Sequence, residues 1–210
     1  MMTKKNFIHA FGSNDKTKKQ NLFSTRTLSS LLQLDLFCEI NVGNRICGEN
    51  PMHMDLNILK TNPLQNLKNY PVSQRLTTVI LGAEYRKKKV RSVEEEDLVK
   101  WADIELAFEE KRRSTPNFPP SRLSALYLAE DSESGIANIK QMFNGLSIFR
   151  VEILNEYQIH KADVRWYEEY GNCYEVQYIS NYWAGVPYDN ENPRWEYLLE
   201  GTISFIEQIE

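Results

Sequence analysis

The chain has 210 residues, of which 41% are hydrophobic and 26% charged, and its formal net charge is −4. A chain of this size and composition can bury a hydrophobic core without disulfides or metals, and it is not typical of a disordered or fibrous protein. The small negative charge provides no overall field for holding a polyanion, so the composition gives no support for nucleic-acid binding.

Cysteines and histidines are few and scattered. Cys38, Cys47 and Cys173 are odd in number and lack the CxxC spacing of a zinc site, which favours reduced thiols in a cytoplasmic protein and no metal site. No apolar run approaches the ~20 residues that span a bilayer. The basic amino terminus lacks the apolar segment of a secretory signal, so we expect no membrane association.

The first twenty residues are polar and carry five lysines. We predict a flexible basic arm over residues 1–20, followed by a single α+β domain over residues 21–210. Residues 22–26 predict a short strand, after which Thr27 or Ser29 would cap a short helix. Asn, Pro and Gly are frequent over residues 41–70, which predicts a long loop with room for one short helix.

The clearest element is a helix from Ser92 to about Arg113. Ser92 and Glu95 fit a capping box, and apolar residues follow at helical spacing. The basic run at residues 86–89 lies beside four acids and predicts a solvated turn.

The second half predicts alternating strands and helices. Strands are expected at residues 123–129 and 146–154, with a helix between them that ends at Asn144 and Gly145. A last strand is expected at residues 195–199, which Glu200 and Gly201 separate from another apolar stretch at residues 202–206.

Arg122 and two serines form the first candidate site, where prolines lead into a predicted strand. A guanidinium group suits phosphate or carboxylate, and Ser121 and Ser124 offer hydroxyls to a ribose or an amide. Strand alternation would place Arg122 and Ser124 on one face. The alternative is structural: Arg122 pairs with an acid of the helix at residues 94–110, and Ser124 is simply small enough to pack.

A second candidate site combines Tyr182 and Trp183 with Glu196. The two aromatics could form a wall for a ligand or a corner of the fold. A carboxylate in an apolar strand, such as Glu196, is costly to bury unless it is paired or used. Its structural alternative is an ion pair with Arg194 or Arg122, and Glu200 is expected at the surface. Residues 160–167 are interpreted as a surface loop, because no nucleophile accompanies their His, Asp and Arg.

These segments resemble the bacterial domain-of-unknown-function family 2441. That family shows a PSRL segment before an apolar strand, a later YW-x-G and then E-x-L. The corresponding residues are 120–123, 182–185 and 196–201, and the helix at residues 105–113 leads into the first of them.

The family's arrangement looks like the ADP-ribosyltransferase fold, which implies a central, mostly antiparallel, split sheet flanked by helices. The resemblance implies that Arg26 holds the ribose or phosphates of NAD, that Ser124 and Tyr127 frame the nicotinamide, and that Glu196 is the catalytic acid. The remaining residues expected to bind the cofactor are Arg122, Tyr182 and Trp183.

Two functions remain open. The resemblance implies an NAD-dependent ADP-ribosyltransferase that modifies an unknown protein or nucleic-acid acceptor, in conflict among bacteria or with phages. The alternative is a non-catalytic module that binds a nucleotide or a protein at the aromatic surface of Tyr182 and Trp183. The chain has no glycine-rich dinucleotide or P-loop motif and no HExxH motif, so nucleotide binding through those common routes is not expected.

Overall fold

A computed structural model of the chain describes residues 6–12, 20, 22–31, 54–65, 73–142 and 146–209. Among them are the strands β1 (Phe7–Gly12), β2 (Thr27–Ser29), β3 (Leu126–Glu130), β4 (Leu146–Asp163) and β5 (Trp195–Gln208). The helices are α1 (Leu56–Thr61), α2 (Gln74–Arg86), α3 (Val93–Arg113), α4 (Glu133–Met142), α5 (Arg165–Cys173) and α6 (Val176–Trp183).

The strands form one antiparallel sheet that closes on itself. Their order is β2-β5-β3-β1-β4, and β4 also pairs with β5. Because β4 is hydrogen-bonded to β1 along one edge and to β5 along the other, the strands β5, β3, β1 and β4 make a small barrel. The edge of β5 that faces away from β4 pairs with two strands. It pairs with β3 near the start of β5 and with β2 in the carboxyl-terminal half of β5.

Alternate side chains of the strands fill the barrel. In β5 the residues that face inward are Tyr197, Leu199, Ile203 and Phe205. Glu196, Leu198 and Glu200 face the other way, toward the helices, because successive residues of a strand point to opposite sides. Leu198 accordingly packs with aromatic residues of α3, α5 and α6. The two faces of β5 therefore separate an apolar barrel interior from the interface with the helices.

Helix α3 begins and ends where the sequence predicted. The Ser92 hydroxyl accepts from the backbone of Glu95, and the Glu95 side chain accepts from the backbone of Ser92, so the predicted capping box is present. Lysine and arginines occupy the last turn, where the helix dipole favours positive charge. Helix α2 packs closely against α3 at Gly82. A Cβ at this position would lie only 2.3 Å from the Cβ of Ala102, so glycine permits the contact.

The predictions for the amino-terminal third are wrong in three places. Phe7–Gly12 are a mostly buried strand of the barrel rather than part of a flexible arm, because Phe7 and Phe11 pack into its interior. The rest of that arm is outside the described residues, apart from Asn6 and Gln20. Residues 22–24 are helical and residues 27–29 are a strand, the reverse of the prediction, because pairing with β5 outweighs the capping preference of Thr27.

The predicted loop over residues 41–70 is described only in part. It contains α1 and a short 3-10 turn at Pro63–Gln65, which confirms the short helix. Residues 41–53 and 66–70 lie outside the described residues, as do Cys38 and Cys47, whereas Cys173 is exposed as a free thiol.

The two strand segments predicted near the carboxyl terminus form one strand. Gly201 does not interrupt β5. A Cβ at this position would lie 2.1 Å from the carbonyl oxygen of Asn155 on β4, so glycine permits the close approach of the two strands. The α+β class and the antiparallel sheet are confirmed, but the described strands make one continuous sheet rather than a split one. None of the described helices is long and apolar enough to cross a membrane.

Candidate functional site

A buried network of charged and hydroxyl groups lies between β5 and the helices, and Arg122 is at its centre. The Arg122 side chain is 1% exposed. Its Nε donates to Oε2 of Glu105 at 3.1 Å, and its Nη1 donates to Oε1 of Glu196 at 2.6 Å. Nη1 also donates to the hydroxyl of Tyr182, whose own hydrogen is donated to Glu196 at 2.6 Å. The guanidinium carbon lies 4.0 Å from the centre of the Tyr167 ring.

Glu105 joins Arg122 to the second arginine of the network, Arg75. Oε1 of Glu105 lies 3.1 Å from Nη1 of Arg75 and accepts the hydroxyl hydrogen of Tyr167 at 2.8 Å. Burial alone would raise the pKa of Glu105, but the guanidinium groups of Arg122 and Arg75 outweigh burial and the pKa lies below its ordinary value. Two arginines and two glutamates therefore balance in charge, as burial of charges requires.

The turn before β3 positions Arg122. The carbonyl of Ser121 accepts from the backbone nitrogens of Ser124 and Ala125, and the Ser121 hydroxyl accepts from Leu123 at 3.1 Å while it donates to Glu109 at 2.7 Å. Residues 121–125 are therefore a turn rather than part of a strand. Strand alternation does not apply to them, and the expected shared face of Arg122 and Ser124 is not formed.

A small cleft opens beside this network. Its lining includes Arg75, Tyr127, Trp195 and Glu196, and its volume is about 40 Å³. The Tyr127 hydroxyl donates to the carbonyl of Arg122 at 2.8 Å. Arg75, whose side chain is 24% exposed, is the part of the network closest to solvent. Its guanidinium lies over the rings of Tyr127 and Tyr167, which hold it in place.

A second polar cluster surrounds Glu200. The sequence predicted this residue at the surface, but its side chain lies on the helix side of β5 and it is 1% exposed. Ser124 donates to Oε1 of Glu200 at 2.7 Å, while Oε2 has no hydrogen-bond partner among the described residues. Burial raises the pKa of Glu200, and hydrogen bonds from Ser124 and Ser30 offset this only in part. Ser124 therefore donates its hydrogen bond to Glu200 and not to Glu196.

The raised pKa of Glu200 predicts a fall in stability with rising pH. Between the ordinary value of 4.5 and the higher value in the folded protein, the folded state holds the proton more tightly than the unfolded chain does, so stability declines as pH rises through this interval. We expect Glu200→Gln to remove this slope and to stabilise the protein at pH 7 by on the order of 1 kcal/mol, because an uncompensated buried carboxylate is removed. Urea denaturation from pH 4 to pH 8 measures both effects.

The control for this measurement is Glu110→Gln, because Glu110 lies on the exposed side of α3. It should leave the pH profile as in the wild type. An unchanged slope in Glu200→Gln would show that another group causes the pH dependence.

The structure brings together most, but not all, of the residues predicted for the site. Arg122, Tyr127, Tyr182 and Glu196 belong to one network. Trp183 lies next to it, and its indole nitrogen donates to the carbonyl of Phe108 at 2.9 Å. The ion pair of Arg122 with an acid of the 94–110 helix, offered as a structural alternative, is present with Glu105.

Arg26 is the predicted residue that does not reach the network. It is exposed, and its carbonyl accepts from the backbone nitrogen of Phe205 at 2.8 Å. Phe205 and Glu196 are nine residues apart on β5, which corresponds to roughly 30 Å along the strand. An arginine side chain does not span this distance, so Arg26 lies outside the site.

Sequence reasoning missed Arg75, Glu105 and Tyr167. Glu105 had a detectable signal, since it lies between Trp101 and Phe108 on the apolar face of α3, where a lone acid requires a partner. Arg75 and Tyr167 had no comparable signal, because only the packing of α2 and α5 against α3 brings them to Glu105.

Residues 160–167 also differ from their predicted loop. They form the end of β4 and the start of α5. The buried carboxylate of Asp163 accepts from the backbone nitrogens of Arg165 and Tyr188, so it fixes the connection between the two elements. Within the described part of the chain, no group of three or more His, Cys, Asp or Glu side chains is placed to hold a metal ion.

These features define a class of protein: an α+β domain with a closed antiparallel sheet and a charge-balanced arginine and glutamate network between the sheet and its helices. The chain belongs to the family described as Protein of unknown function (DUF2441), whose model matches residues 40–210. Among proteins with curated functions, none matches the sequence.

Proposed function

We propose that the protein is an ADP-ribosyltransferase-like domain that binds NAD in the cleft beside Arg75. The observation that carries this proposal is that Tyr127 and Glu196 line the same cleft. They are the aromatic and the acid to which the resemblance assigns contact with the nicotinamide and stabilisation of the ribose cation.

In this proposal, Arg75 takes the role that the resemblance implied for Arg26. Its contacts with Glu105 and Tyr167 both use Nη1. Among the described residues, the donors on Nε and Nη2 therefore stay available to a phosphate oxygen, and a guanidinium group is suited to two parallel hydrogen bonds of this kind.

The cleft must widen before a nucleotide can bind in it. Its volume of about 40 Å³ is far below the ~300–1,000 Å³ of small-molecule sites. A nucleotide therefore enters only when the side chain of Arg75, at the mouth, turns outward and opens the cleft.

The proposed reaction transfers ADP-ribose to an acceptor. The bond between C1′ of the ribose and the nicotinamide nitrogen breaks, and nicotinamide leaves with the electron pair. A nucleophile of the acceptor forms the new bond to C1′ and releases its proton. Glu196 would stabilise the positive charge that develops on the ribose.

The bonds of Glu196 favour a second candidate, a module that binds a nucleotide without turnover. Arg122 and Tyr182 both donate to Oε1 of Glu196, and the residue is only 3% exposed. A carboxylate that is already neutralised by an arginine stabilises a second cation less.

Titration with NAD tests the site, and release of nicotinamide tests the reaction. We expect Arg75→Met to weaken NAD binding at least tenfold, or ~1.4 kcal/mol, because it removes the charge and keeps most of the apolar stem. Glu196→Gln should abolish release of nicotinamide into water while NAD still binds. Calorimetry measures binding, and chromatography of the products measures release.

Arg86→Met is the matched control, because Arg86 is on the same helix but pairs with Asp103 outside the cleft. It should bind NAD as the wild type does. Saturable binding without release of nicotinamide would favour the non-catalytic module. Absence of NAD binding at millimolar concentration, or equal losses in the two arginine variants, would contradict the proposed site.

A further inference from the structure

An exposed aromatic surface lies on helices α5 and α6 and on the loop that joins α6 to β5. Tyr174 is 52% exposed, Val186 is 39% exposed and Tyr188 is 40% exposed. The rings of Tyr178 and Tyr188 both contact Trp166, at 5.1 Å and 4.7 Å between ring centres. These five residues are called the aromatic face. Exposed apolar side chains that meet at one surface are typical of a surface that contacts another molecule.

Hydrogen bonds to neighbouring elements hold the aromatic face in place. The backbone nitrogen of Tyr188 donates to the buried carboxylate of Asp163 at 3.0 Å. The indole nitrogen of Trp166 donates to the carbonyl of Val186 at 2.9 Å, so the loop is tied to α5. A surface that is already ordered loses less entropy when it binds a partner.

The charge of this region is negative. Residues 166–192 contain five acids and no lysine or arginine. Ion pairs with the arginines that flank this stretch neutralise two of the acids, whereas no described lysine or arginine pairs with Glu169 or Glu175. Glu169 follows Trp166 by three residues and shares its side of α5. The carboxylate of Glu175, at the start of α6, raises the pKa of the nearby Tyr178. A ligand that complements the aromatic face therefore carries positive charge.

Arg165, at the edge of the aromatic face, shows how a guanidinium group fits there. Its guanidinium carbon lies 5.1 Å from the centre of the Tyr188 ring, and its Nη1 lies 3.7 Å from Oδ2 of Asp189. Tyr178 and Glu175 offer the same combination of a ring and a carboxylate, but no described cation lies over that ring. A guanidinium group suits this position because it stacks on aromatic rings and pairs with carboxylates.

We propose that the aromatic face binds an arginine-containing segment of a partner protein. The guanidinium group of one arginine stacks on the ring of Tyr178 and pairs with the carboxylate of Glu175. The aliphatic stem of that arginine packs on Trp166, because long cationic side chains bury their stems along apolar surface. Tyrosine, tryptophan and arginine contribute most to the binding energy of protein interfaces, so the face and its ligand have the composition of such an interface.

Fluorescence anisotropy with the full chain, in the absence of NAD, tests the proposal independently of the nucleotide site. The probe is a fluorescein-labelled peptide of eight residues that alternates arginine and alanine. Matched peptides carry citrulline, which has the shape of arginine without its charge, or lysine, whose compact ammonium group is not planar. We expect saturable binding of the arginine peptide, binding of the citrulline peptide that is weaker by about tenfold or more, and intermediate binding of the lysine peptide. Equal affinity of the arginine peptide and either of the others would overturn the proposal.

Substitutions in the protein locate the bound arginine. Glu175→Gln removes the carboxylate and Tyr178→Leu removes the ring, and each should weaken binding of the arginine peptide by about fivefold or more. Tyr178→Phe keeps the ring and should bind as the wild type does. Glu110→Gln makes the same charge change as Glu175→Gln on the exposed side of α3 and should have little effect. Equal losses in the two glutamine variants would show that only the overall negative charge attracts the peptide, and the proposal would be wrong.

Cys173 reports the position of the peptide without any substitution. Its thiol is exposed and lies close to the hydroxyl of Tyr178. Saturating arginine peptide should slow the alkylation of Cys173 by iodoacetamide, as measured by mass spectrometry of the fragment that carries it. Unchanged alkylation at saturation would place the peptide elsewhere and contradict the proposal. Sedimentation that shows a dimer, dissociated by Glu175→Gln, would assign the aromatic face to a second copy and would also contradict it.

Discussion

Replacement of Arg122 with methionine is expected to destabilise the protein by about 3–5 kcal/mol, because it leaves buried carboxylates without their counter-ion. For a domain of this size, the melting temperature should fall by roughly 6–20 °C, at ~2–4 °C per kcal/mol. Glu105 keeps Arg75 as a partner, so most of the loss should come from Glu196, whose remaining described donor is Tyr182. Chemical denaturation measures the difference.

A second substitution identifies the cause. Addition of Glu196→Gln to Arg122→Met should recover part of the lost stability, since it removes the uncompensated charge. Arg150→Met provides the matched control, because Arg150 also pairs with two acids, Asp131 and Glu207, but its side chain is 36% exposed, so its replacement should cost under ~1 kcal/mol. Strictly additive effects of the two substitutions at Arg122 and Glu196 would show that their ion pair does not stabilise the fold.

Replacement of Phe108 with alanine should also cost about 3–5 kcal/mol, because it creates a cavity in the aromatic core next to the network. The Phe108 ring is fully buried, and it meets the rings of Tyr167, Tyr170 and Tyr182 edge-on at 5.1–5.6 Å between centres. It also lies beneath the guanidinium of Arg122, at 5.7 Å. Its loss should therefore weaken the packing between the helices and the packing around the arginine network. Thermal and urea denaturation measure the loss.

Phe23→Ala is the control for this prediction, because Phe23 is 83% exposed and should change stability by less than ~0.5 kcal/mol. Phe108→Leu should lie between the two, since leucine fills part of the space. A loss for Phe108→Ala within about 1 kcal/mol of the control would mean that the aromatic cluster repacks around the missing ring.

The two polar clusters on β5 have different physical characters. At Glu196, the guanidinium of Arg122 balances the charge of the carboxylate, and the hydroxyl of Tyr182 donates a further hydrogen bond. At Glu200, a serine hydroxyl donates to one oxygen and the other has no described partner. Burial of a carboxyl group without a counter-ion favours its protonated form, so the pKa of Glu200 is raised and it holds its proton to a higher pH than an ordinary glutamate does.

Local interactions explain what the sequence predicted well. Helix α3 was predictable because its capping box, charged ends and apolar spacing are set by neighbours within a turn or two. The pairing of Arg122 with an acid of that helix was one of the two interpretations that the sequence left open, because a buried arginine requires a counter-ion and the helix offers several acids. The family of the chain was also evident from its motifs, and the match over residues 40–210 confirms it.

Contacts between distant residues decided what the sequence could not. Phe7 and Phe11 lie in a polar, basic stretch, and only pairing with β3 and β4 makes their segment a strand of the barrel. The same pairing with β5 places the carbonyl of Arg26 beside Phe205 and so removes Arg26 from the site. Arg75 reaches Glu105 because α2 packs on α3 through Gly82. The sequence by itself thus determined the helix and the family, whereas barrel closure and helix packing decided which charges meet, because these contacts depend on residues far apart in the chain.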